Sequence, residues 1–308
     1  MNESPKTYDV IIIGGGPAGL SAGMYAARAR LNTLLIERGA IGGQIINTQW
    51  VENYPGFVES ISGIDLTQAM HQQATKFGLE MIYADVSGIR ADGKTKTVTT
   101  SEGDFTVPAV IITGGSERQR LGVPGEEEYI GRGVSFCATC DGAFFTDKEV
   151  AVVGGGNAAL TEALELTKFA SKVSVIHRRD ELRATMILQE KARADSKIEF
   201  VLDSVVDEVV GETFVTGVKV SNVKTGEQST LGVSGVFMAV GFRPNTDYLK
   251  GTVELDELGT VIVSQNMETS VPGIFAAGDI RSRSIRQVIA AAGDGAVAAI
   301  SAEKYLRA

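Results

Sequence analysis

The sequence predicts an α/β fold in which one three-layer domain is inserted into another. The chain has 308 residues, which exceeds the size at which one hydrophobic core usually keeps growing, so two domains are expected. A hydrophobic fraction of 44% is enough to fill two cores. One glycine-rich segment occurs twice along the chain, and further strand and helix patterns follow the second copy. These observations together give the fold class.

The repeated segment predicts the core of each domain. Residues 9–19 read DVIIIGGGPAG and residues 149–159 read EVAVVGGGNAA. Each copy is an apolar, β-branched run that leads through Gly-x-Gly-x-x-Gly/Ala into residues with helical periodicity. The next strand then ends at the same offset, since Glu37 lies 23 residues after Gly14 and His177 lies 23 residues after Gly154. The spacing predicts two β-α-β units, and therefore two Rossmann-like dinucleotide-binding domains.

The glycine turns indicate what the domains bind. Glycines such as Gly14 and Gly16 allow a tight turn and a close backbone approach, so that a pyrophosphate can sit at the N-terminus of the following helix. Glu37 ends the second strand of the first unit, where its carboxylate can accept hydrogen bonds from both hydroxyls of an adenosine ribose. The first unit therefore suits FAD or NAD, and it would repel a 2′-phosphate.

The corresponding place in the second unit is basic. The segment HRRDELR puts His177, Arg178, Arg179 and Arg183 there, and guanidinium groups are well suited to grip a 2′-phosphate. NADPH is the better fit than NADH. An ordinary solvated basic patch is the alternative.

The C-terminal part predicts how the two domains are connected. A strand and turn are expected over residues 236–249, another strand over residues 270–280 runs into Gly278 and Asp279, and an alanine-rich helix follows from Ile285. This last strand and helix have no repeat partner in the middle of the chain. We therefore expect a domain that binds FAD or NAD over residues 1–116 and 246–308, interrupted by an NADPH-binding domain over residues 117–245.

Charge and hydropathy exclude several classes of function. The formal net charge of −9 argues against a large phosphate-neutralising surface, so no nucleic acid partner is expected. No run of 18 apolar residues is present, and the N-terminal segment MNESPKTYDV lacks the layout of a signal peptide. We expect a soluble, cytoplasmic protein with no membrane partner.

The two cysteines of the chain, Cys137 and Cys140, stand in the segment FCATCDG. A zinc site needs about four ligands, and the chain offers no further cysteine and only two histidines, so no metal is expected. A structural disulfide and a pair of buried, inert thiols are alternatives. A redox-active pair is favoured, because C-x-x-C beside β-α-β units is typical of thiol chemistry. Asp141 follows directly, where it can protonate a leaving thiolate or merely cap a turn.

Several motifs together resemble a known family. CATCDG, GGGPAG, ENYPG at residues 52–56, AIGGQ at residues 40–44, HRR, and AAGD followed by Arg286 and Gln287 are similar to the low-molecular-weight, bacterial-type thioredoxin reductases, which are pyridine nucleotide-disulfide oxidoreductases. The resemblance runs in order from about residue 8 to residue 306. The second glycine turn departs from the family pattern, because Asn157 replaces an acid, Ala158 a serine and Thr161 a glutamate.

The resemblance implies a homodimeric enzyme with bound FAD, in which Cys140 faces the flavin and Cys137 attacks the disulfide of thioredoxin. It further implies two alternating domain orientations, with hinges near residues 114–118 and 244–247. It also assigns two groups of cofactor-binding residues. FAD would contact Gly14, Gly16, Pro17, Ala18, Glu37, Gly43, Gln44, Asn53, Gly278, Asp279, Arg286 and Gln287. NADPH would contact Gly154, Gly156, Asn157 and Ala158 in addition to the basic residues.

The implied reaction carries a hydride from NADPH to FAD and electrons from FAD to the cysteine pair, which then reduces oxidised thioredoxin by thiol-disulfide exchange. Three alternatives stay open at this point. The same machinery can serve a glutaredoxin-like or peroxiredoxin-linked protein. A ferredoxin or flavodoxin NADP reductase has a similar fold but needs no dithiol. A nucleotide-binding redox sensor would bind both cofactors and turn over slowly.

Overall fold

The structure is a computed structural model that describes residues 7–48 and 50–308. The chain folds into two compact units. The first contains the described residues up to Glu117 together with Arg243–Ala308, and the second is formed by Arg118–Phe242. The assignment of FAD to the first unit and of NADPH to the second stays a prediction.

The regular elements are named here in chain order. The strands are β1 (Val10–Ile13), β2 (Thr33–Glu37), β3 (Glu80–Tyr83), β4 (Val86–Asp92), β5 (Thr95–Thr100), β6 (Gly103–Val107), β7 (Ala109–Ile112), β8 (Ser116–Arg118), β9 (Val134–Ser135), β10 (Glu149–Val153), β11 (Lys172–Ile176), β12 (Ile198–Val201), β13 (Ser204–Gly211), β14 (Val215–Asn222), β15 (Gln228–Leu231), β16 (Gly235–Met238), β17 (Phe242–Pro244) and β18 (Ile274–Ala276). The α-helices are α1 (Pro17–Arg28), α2 (Gly63–Lys76), α3 (Ala138–Asp141), α4 (Asn157–Leu166), α5 (Met186–Ala194) and α6 (Val288–Arg307). Short 3-10 helices cover Gly43–Asn47, Gly142–Phe145, Asp247–Leu249 and Gly278–Ile280.

Each unit contains a five-stranded parallel sheet with the same strand arrangement. The order is β18-β7-β1-β2-β3 in the first unit and β9-β16-β10-β11-β12 in the second. The strand that leads into each glycine turn, β1 or β10, is the central one. The repeat predicted from the two glycine segments is therefore also a repeat of sheet topology.

The outer strands of the two parallel sheets come from different places in the sequence of their units. β18 pairs with β7 in the first unit, and β9 pairs with β16 in the second, so the two strands occupy equivalent places. The expectation that the C-terminal strand has no counterpart in the middle of the chain is wrong, because β9 is that counterpart. β9 has two residues and precedes its sheet in sequence, so neither its pattern nor its order identifies it.

Both parallel sheets are covered on two faces, as such sheets usually are. Along β1, Val10 and Ile12 pack in the cluster that contains the helical residues Leu20 and Ala298. Ile11 and Ile13 pack on the other face, against the antiparallel sheet β4-β5-β6. The second unit repeats this arrangement with helix α4 on one face and the antiparallel sheet β13-β14-β15 on the other. Each unit is thus a three-layer structure.

Helices α1 and α6 lie very close together in the first unit. A Cβ atom added to Gly295 of α6 would stand 2.1 Å from the carbonyl oxygen of Ala18 in α1. Only a residue without a side chain fits there. This contact brings the C-terminal helix against the first glycine turn. Among residues 7–48 and 50–308, no helix is both long and apolar enough to cross a membrane.

Candidate active site

The first glycine turn has the geometry of a dinucleotide cradle. Gly14 has φ +110°, and a Cβ atom there would stand 2.6 Å from the carbonyl oxygen of Thr113. Helix α1 begins after Gly16 with Pro17 in its first turn, and no described side chain caps it. Backbone amides at an uncapped helix N-terminus bind phosphate well. The turn therefore fits the pyrophosphate of a dinucleotide.

Glu37 is held beside this turn by two backbone amides. Its Oε2 accepts a hydrogen bond from Gly15 N at 2.5 Å, and its Oε1 accepts one from Gly39 N at 2.8 Å. A carboxylate fixed at the end of β2 next to the glycine turn suits a ribose diol. The segment carrying Gly43 and Gln44 also lies here, because a Cβ atom on Gly43 would stand 3.3 Å from the Cα of Gly16.

The predicted C-terminal flavin residues meet the first turn and the ENYPG segment. A Cβ atom on Gly278 would stand 2.9 Å from the Cβ of Ala18, so the AAGD loop touches the first turn of α1. Asn53 Nδ2 donates a hydrogen bond to Gln287 Oε1 at 3.1 Å, although 234 residues separate them. The first glycine turn, the ENYPG segment and the AAGD loop, which the resemblance assigned to FAD, thus lie together in the first unit.

Sequence analysis did not single out Ser284 and Asp294, which hold the AAGD loop. Asp279 Oδ1 accepts a hydrogen bond from Ser284 Oγ at 2.8 Å, and Ser284 Oγ in turn accepts one from Arg286 N at 3.2 Å. Asp294 Oδ2 accepts a hydrogen bond from Gly278 N at 3.2 Å. An acidic residue inside an alanine-rich helix was the available signal for Asp294.

The second glycine turn has the same geometry as the first, and there is open space beside Gly156. Gly154 has φ +147°, and a Cβ atom there would stand 2.5 Å from Ala239 O. Helix α4 follows Gly156 without a side-chain cap, and no described heavy atom lies within 4 Å of a Cβ built on Gly156. Asn157 and Ala158 at the start of α4 are exposed. The backbone is therefore open where a second dinucleotide would place its phosphates.

The basic loop is tied to this turn by main-chain contacts. The amides of Arg183 and Ala184 donate to Gly155 O at 2.7 and 3.1 Å. Asn157 Oδ1 accepts a hydrogen bond from Thr185 N at 2.8 Å. Asn157 thus has a structural role, because its amide oxygen anchors the loop that carries Arg183, and an acid at this position could accept the same hydrogen bond.

His177 is placed differently from the arginines around it. Arg178, Arg179 and Arg183 are exposed, whereas His177 is buried, and a Cβ atom on Gly155 would stand 2.4 Å from its ring. Burial lowers the pKa of His177, a hydrogen bond with the Glu181 backbone opposes this, and the three arginines lower the pKa further. The ring is therefore neutral at pH 7, and the cationic charge for a 2′-phosphate comes from the arginines.

Cys137 and Cys140 form a disulfide with a Cα–Cα distance of 5.3 Å. Cys137 follows β9 and caps the short helix α3, which contains Cys140. Both cysteines are half-buried, which disagrees with two buried, inert thiols. The pair lies at the carboxyl end of an outer strand, the place that the AAGD loop takes after β18 in the first unit.

Polar side chains surround the disulfide. Asp141 Oδ2 accepts a hydrogen bond from Ser135 Oγ at 2.6 Å, and Ser135 Oγ accepts one from Cys137 N at 3.2 Å. Burial raises the pKa of Asp141, while the Ser135 hydrogen bond and the charge of Arg118 oppose this. Asp141 is thus a half-buried carboxyl group connected through Ser135 to the backbone of Cys137, and its role as a proton donor stays a prediction.

Comparison with known proteins points to the family that the sequence motifs resemble. The family model described as "Pyridine nucleotide-disulphide oxidoreductase" matches residues 8–295. "Thioredoxin reductase" of Listeria monocytogenes is 48% identical over 99% of this chain and 96% of its own length. "Thioredoxin reductase" of Bacillus subtilis is also 48% identical, with the same coverage.

Solved structures agree in fold. A thioredoxin reductase from Streptococcus pyogenes matches with a TM-score of 0.95 at 48% identity and covers 99% of both chains. One from Giardia duodenalis matches with a TM-score of 0.94 at 40% identity, covering 98% of this chain and all of its own. The predicted family, fold class, enzyme class and cofactors FAD and NADPH are confirmed by these likenesses. With this coverage by family model, relatives and structures, the chain belongs to the pyridine nucleotide-disulphide oxidoreductase family, among the thioredoxin reductases.

Proposed function

We propose that the protein reduces the disulfide of thioredoxin with electrons from NADPH. The observation that carries this proposal is the half-buried Cys137–Cys140 disulfide with a half-buried acid, Asp141, hydrogen-bonded through Ser135 to the amide of Cys137. Bound FAD and NADPH would supply two electrons, delivered as a hydride from the nicotinamide through the flavin. Every other step uses groups of this chain or of its protein substrate.

The binding residues divide between the two units. The first glycine turn, Glu37, the Gly43–Gln44 segment, the Asn53–Gln287 pair and the AAGD loop would hold FAD. The second glycine turn would hold the pyrophosphate of NADPH, and the exposed arginines would bind its 2′-phosphate through charge-assisted hydrogen bonds. His177 would support the second glycine turn through the contact of its ring with Gly155.

The disulfide would accept both electrons at its single S–S bond. Reduction breaks the S–S bond and leaves one thiol and one thiolate, with one proton taken up. Cys137 then attacks the disulfide of thioredoxin to form a mixed disulfide, and Cys140 resolves it. Asp141 would donate the proton to the leaving sulfur, for which a raised pKa is suitable.

Anaerobic turnover with oxidised thioredoxin tests this function. We expect NADPH oxidation that depends on thioredoxin and that falls by at least about a thousandfold in Cys137→Ser, because the attacking thiol is lost. Thr139→Ser, which alters an exposed residue between the cysteines, is the matched control and keeps the rate. Bleaching of the flavin by NADPH while thioredoxin stays oxidised would move the function to another disulfide substrate.

We also propose that the enzyme is a cytoplasmic homodimer. Large apolar side chains are exposed on three helices of the first unit, namely Tyr25 on α1, Ile64 on α2 and Ile289 on α6, and a second copy of this chain would cover such groups. Light scattering should give twice the chain mass. Cell fractionation should recover the protein with the cytoplasmic markers, where reducing conditions suit a dithiol enzyme.

A further inference from the structure

Glu162 contacts the segment that carries the cysteine pair, although the sequence patterns assign it no role. It stands on α4, the helix that follows the second glycine turn. Its Oε2 accepts a hydrogen bond from the backbone N–H of Ala138 at 2.8 Å, and Ala138 is the residue next to Cys137. Glu162 is half-buried where α3 packs on α4. It therefore holds the segment that carries the disulfide.

Two consecutive amides of this segment are connected to two different acids. The amide of Cys137 donates to Ser135 Oγ, whose hydroxyl donates to Asp141 Oδ2. The amide of Ala138 donates directly to Glu162 Oε2. A carboxyl group that accepts such an N–H can do so in its ionised or its neutral form. The contact therefore survives protonation, while the charge next to the Ala138 amide changes.

The charges that act on Glu162 come from two neighbouring elements. Asp141 belongs to α3 and Arg118 to β8, and the guanidinium carbon of Arg118 lies 4.7 Å from the centre of the Phe136 ring. Burial raises the pKa of Glu162 to about 7; the Ala138 hydrogen bond and Arg118 oppose this, and Asp141 adds to it. Protonation of Glu162 thus falls within the working range of a cytoplasmic enzyme.

We propose that Glu162 is a positioning residue of the dithiol and that it takes up a proton when the disulfide is reduced. Reduction of Cys137–Cys140 consumes two electrons and one proton and yields a thiol and a thiolate. The new negative charge arises in the segment whose Ala138 amide donates to Glu162, so those molecules in which Glu162 is ionised bind one further proton from water and Glu162 becomes a neutral acid. The Ala138 hydrogen bond is kept, and repulsion between carboxylate and thiolate is removed. The inference rests on the proposed function, in which this pair is the redox centre.

The test follows the reactivity of the reduced cysteines rather than turnover. The FAD-loaded enzyme is reduced anaerobically with dithiothreitol, and alkylation of Cys137 and Cys140 by iodoacetamide is followed by mass spectrometry between pH 5.5 and 9. Only a thiolate reacts, so the rate reports its population. Glu162→Gln keeps an acceptor for Ala138 but cannot ionise. Glu165→Gln removes a charge from the same helix, where Glu165 pairs with Lys168, and is the matched control.

We expect the alkylation rates of the wild type and of Glu162→Gln to coincide below about pH 6, where the side chain at position 162 is neutral in both proteins. Above about pH 7 the variant should react roughly 3- to 10-fold faster, because the wild type forms its thiolate only against an ionised Glu162 or after binding a proton there, and the variant needs neither. Glu165→Gln should follow the wild type throughout. A Glu162→Gln profile equal to the wild type, or displaced by one constant factor at every pH, would overturn the proposal.

A second variant separates position from charge. Glu162→Ala loses the hydrogen bond to Ala138 as well as the charge. We expect its cysteines to be alkylated faster than those of the wild type above pH 7, and their alkylation rate to differ from the wild-type rate at pH 5.5 as well. If Glu162→Ala matches Glu162→Gln at every pH, the positioning part of the proposal is wrong. Thioredoxin is not needed in these measurements, so failure of the proposed substrate and failure of this inference give different results.

Discussion

Asp294 and Arg281 form a bidentate ion pair inside the first unit. Arg281 Nε and Nη2 donate to the two carboxylate oxygens of Asp294 at 2.6 and 2.9 Å, and the side chains are 17% and 11% exposed. Asp294 also accepts the amide of Gly278. The pair thus connects helix α6 with the loop that carries Asp279, which we propose as a flavin contact.

Removing the charge of Asp294 should weaken both the unit and its hold on FAD. Asp294→Asn leaves Arg281 without its counter-ion in a mostly buried place, and we expect a loss of about 2–4 kcal/mol in the free energy of unfolding. FAD should dissociate faster, as measured by the return of flavin fluorescence. Glu303→Gln on the same helix breaks an exposed pair with Arg307 and should change stability by less than about 1 kcal/mol.

Two glycines of α6 should respond in opposite directions to the same substitution. A Cβ atom on Gly295 would meet Ala18 O at 2.1 Å, whereas nothing described lies within 4 Å of a Cβ on Gly293. Gly295→Ala should lower the free energy of unfolding by about 2–3 kcal/mol, since the two helices must separate. Gly293→Ala should raise it by about 0.5–1 kcal/mol. Urea unfolding followed by circular dichroism measures both, and equal effects would contradict the close packing of α1 and α6.

The sequence predicts the parts of this fold that depend on local constraints. Gly14 and Gly154 both have positive φ and neighbours that exclude a side chain, so glycine is required there and the motif is readable. The offset from each glycine to Glu37 or His177 follows from the length of one β-α-β unit. The cysteine spacing likewise places both sulfur atoms on one short turn.

Contacts between distant segments could not be read in the same way. Asn53 and Gln287 meet across 234 residues, and no local pattern encodes that pairing. Glu162 looks like an ordinary solvent-facing acid of an amphipathic helix until α3 is seen to pack on α4. His177 was expected at the 2′-phosphate with the arginines, and only the structure shows its ring under Gly155.

The exposed arginines of the second unit should set the preference between NADPH and NADH. Arg178→Gln removes one charge that we place at the 2′-phosphate, and a charge-assisted hydrogen bond of about 1.5–3 kcal/mol corresponds to a 10- to 100-fold rise in KM for NADPH. KM for NADH should change by less than about twofold. Arg193→Gln removes an equal charge from α5 and is the control. A matching loss for both nucleotides would mean that Arg178 acts on folding or on the shared part of the cofactor.

The two half-buried acids of the disulfide segment and α4, Asp141 and Glu162, should make the oxidised second unit less stable as pH rises. The folded pKa of Glu162 is raised from 4.5 to about 7, so the native state holds its proton more tightly than the unfolded chain does. The resulting stability is fully present below about pH 4.5 and is lost as pH rises to about 7, with a total of about 3 kcal/mol. Asp141, whose pKa is also raised from 3.8, acts in the same direction.

Hydrogen exchange of amides in β10 can follow this effect, because these buried amides exchange when the second unit opens. After correction for the intrinsic pH dependence of exchange, protection in the wild type should fall between pH 5 and 8. Glu162→Gln cannot ionise, so its protection should fall less over the same range, because of the two acids only Asp141 still contributes. Glu165→Gln should keep the wild-type slope. A slope that is unchanged in Glu162→Gln would show that Glu162 ionises in the folded enzyme as it does in the unfolded chain, and that its burial carries no free-energy penalty.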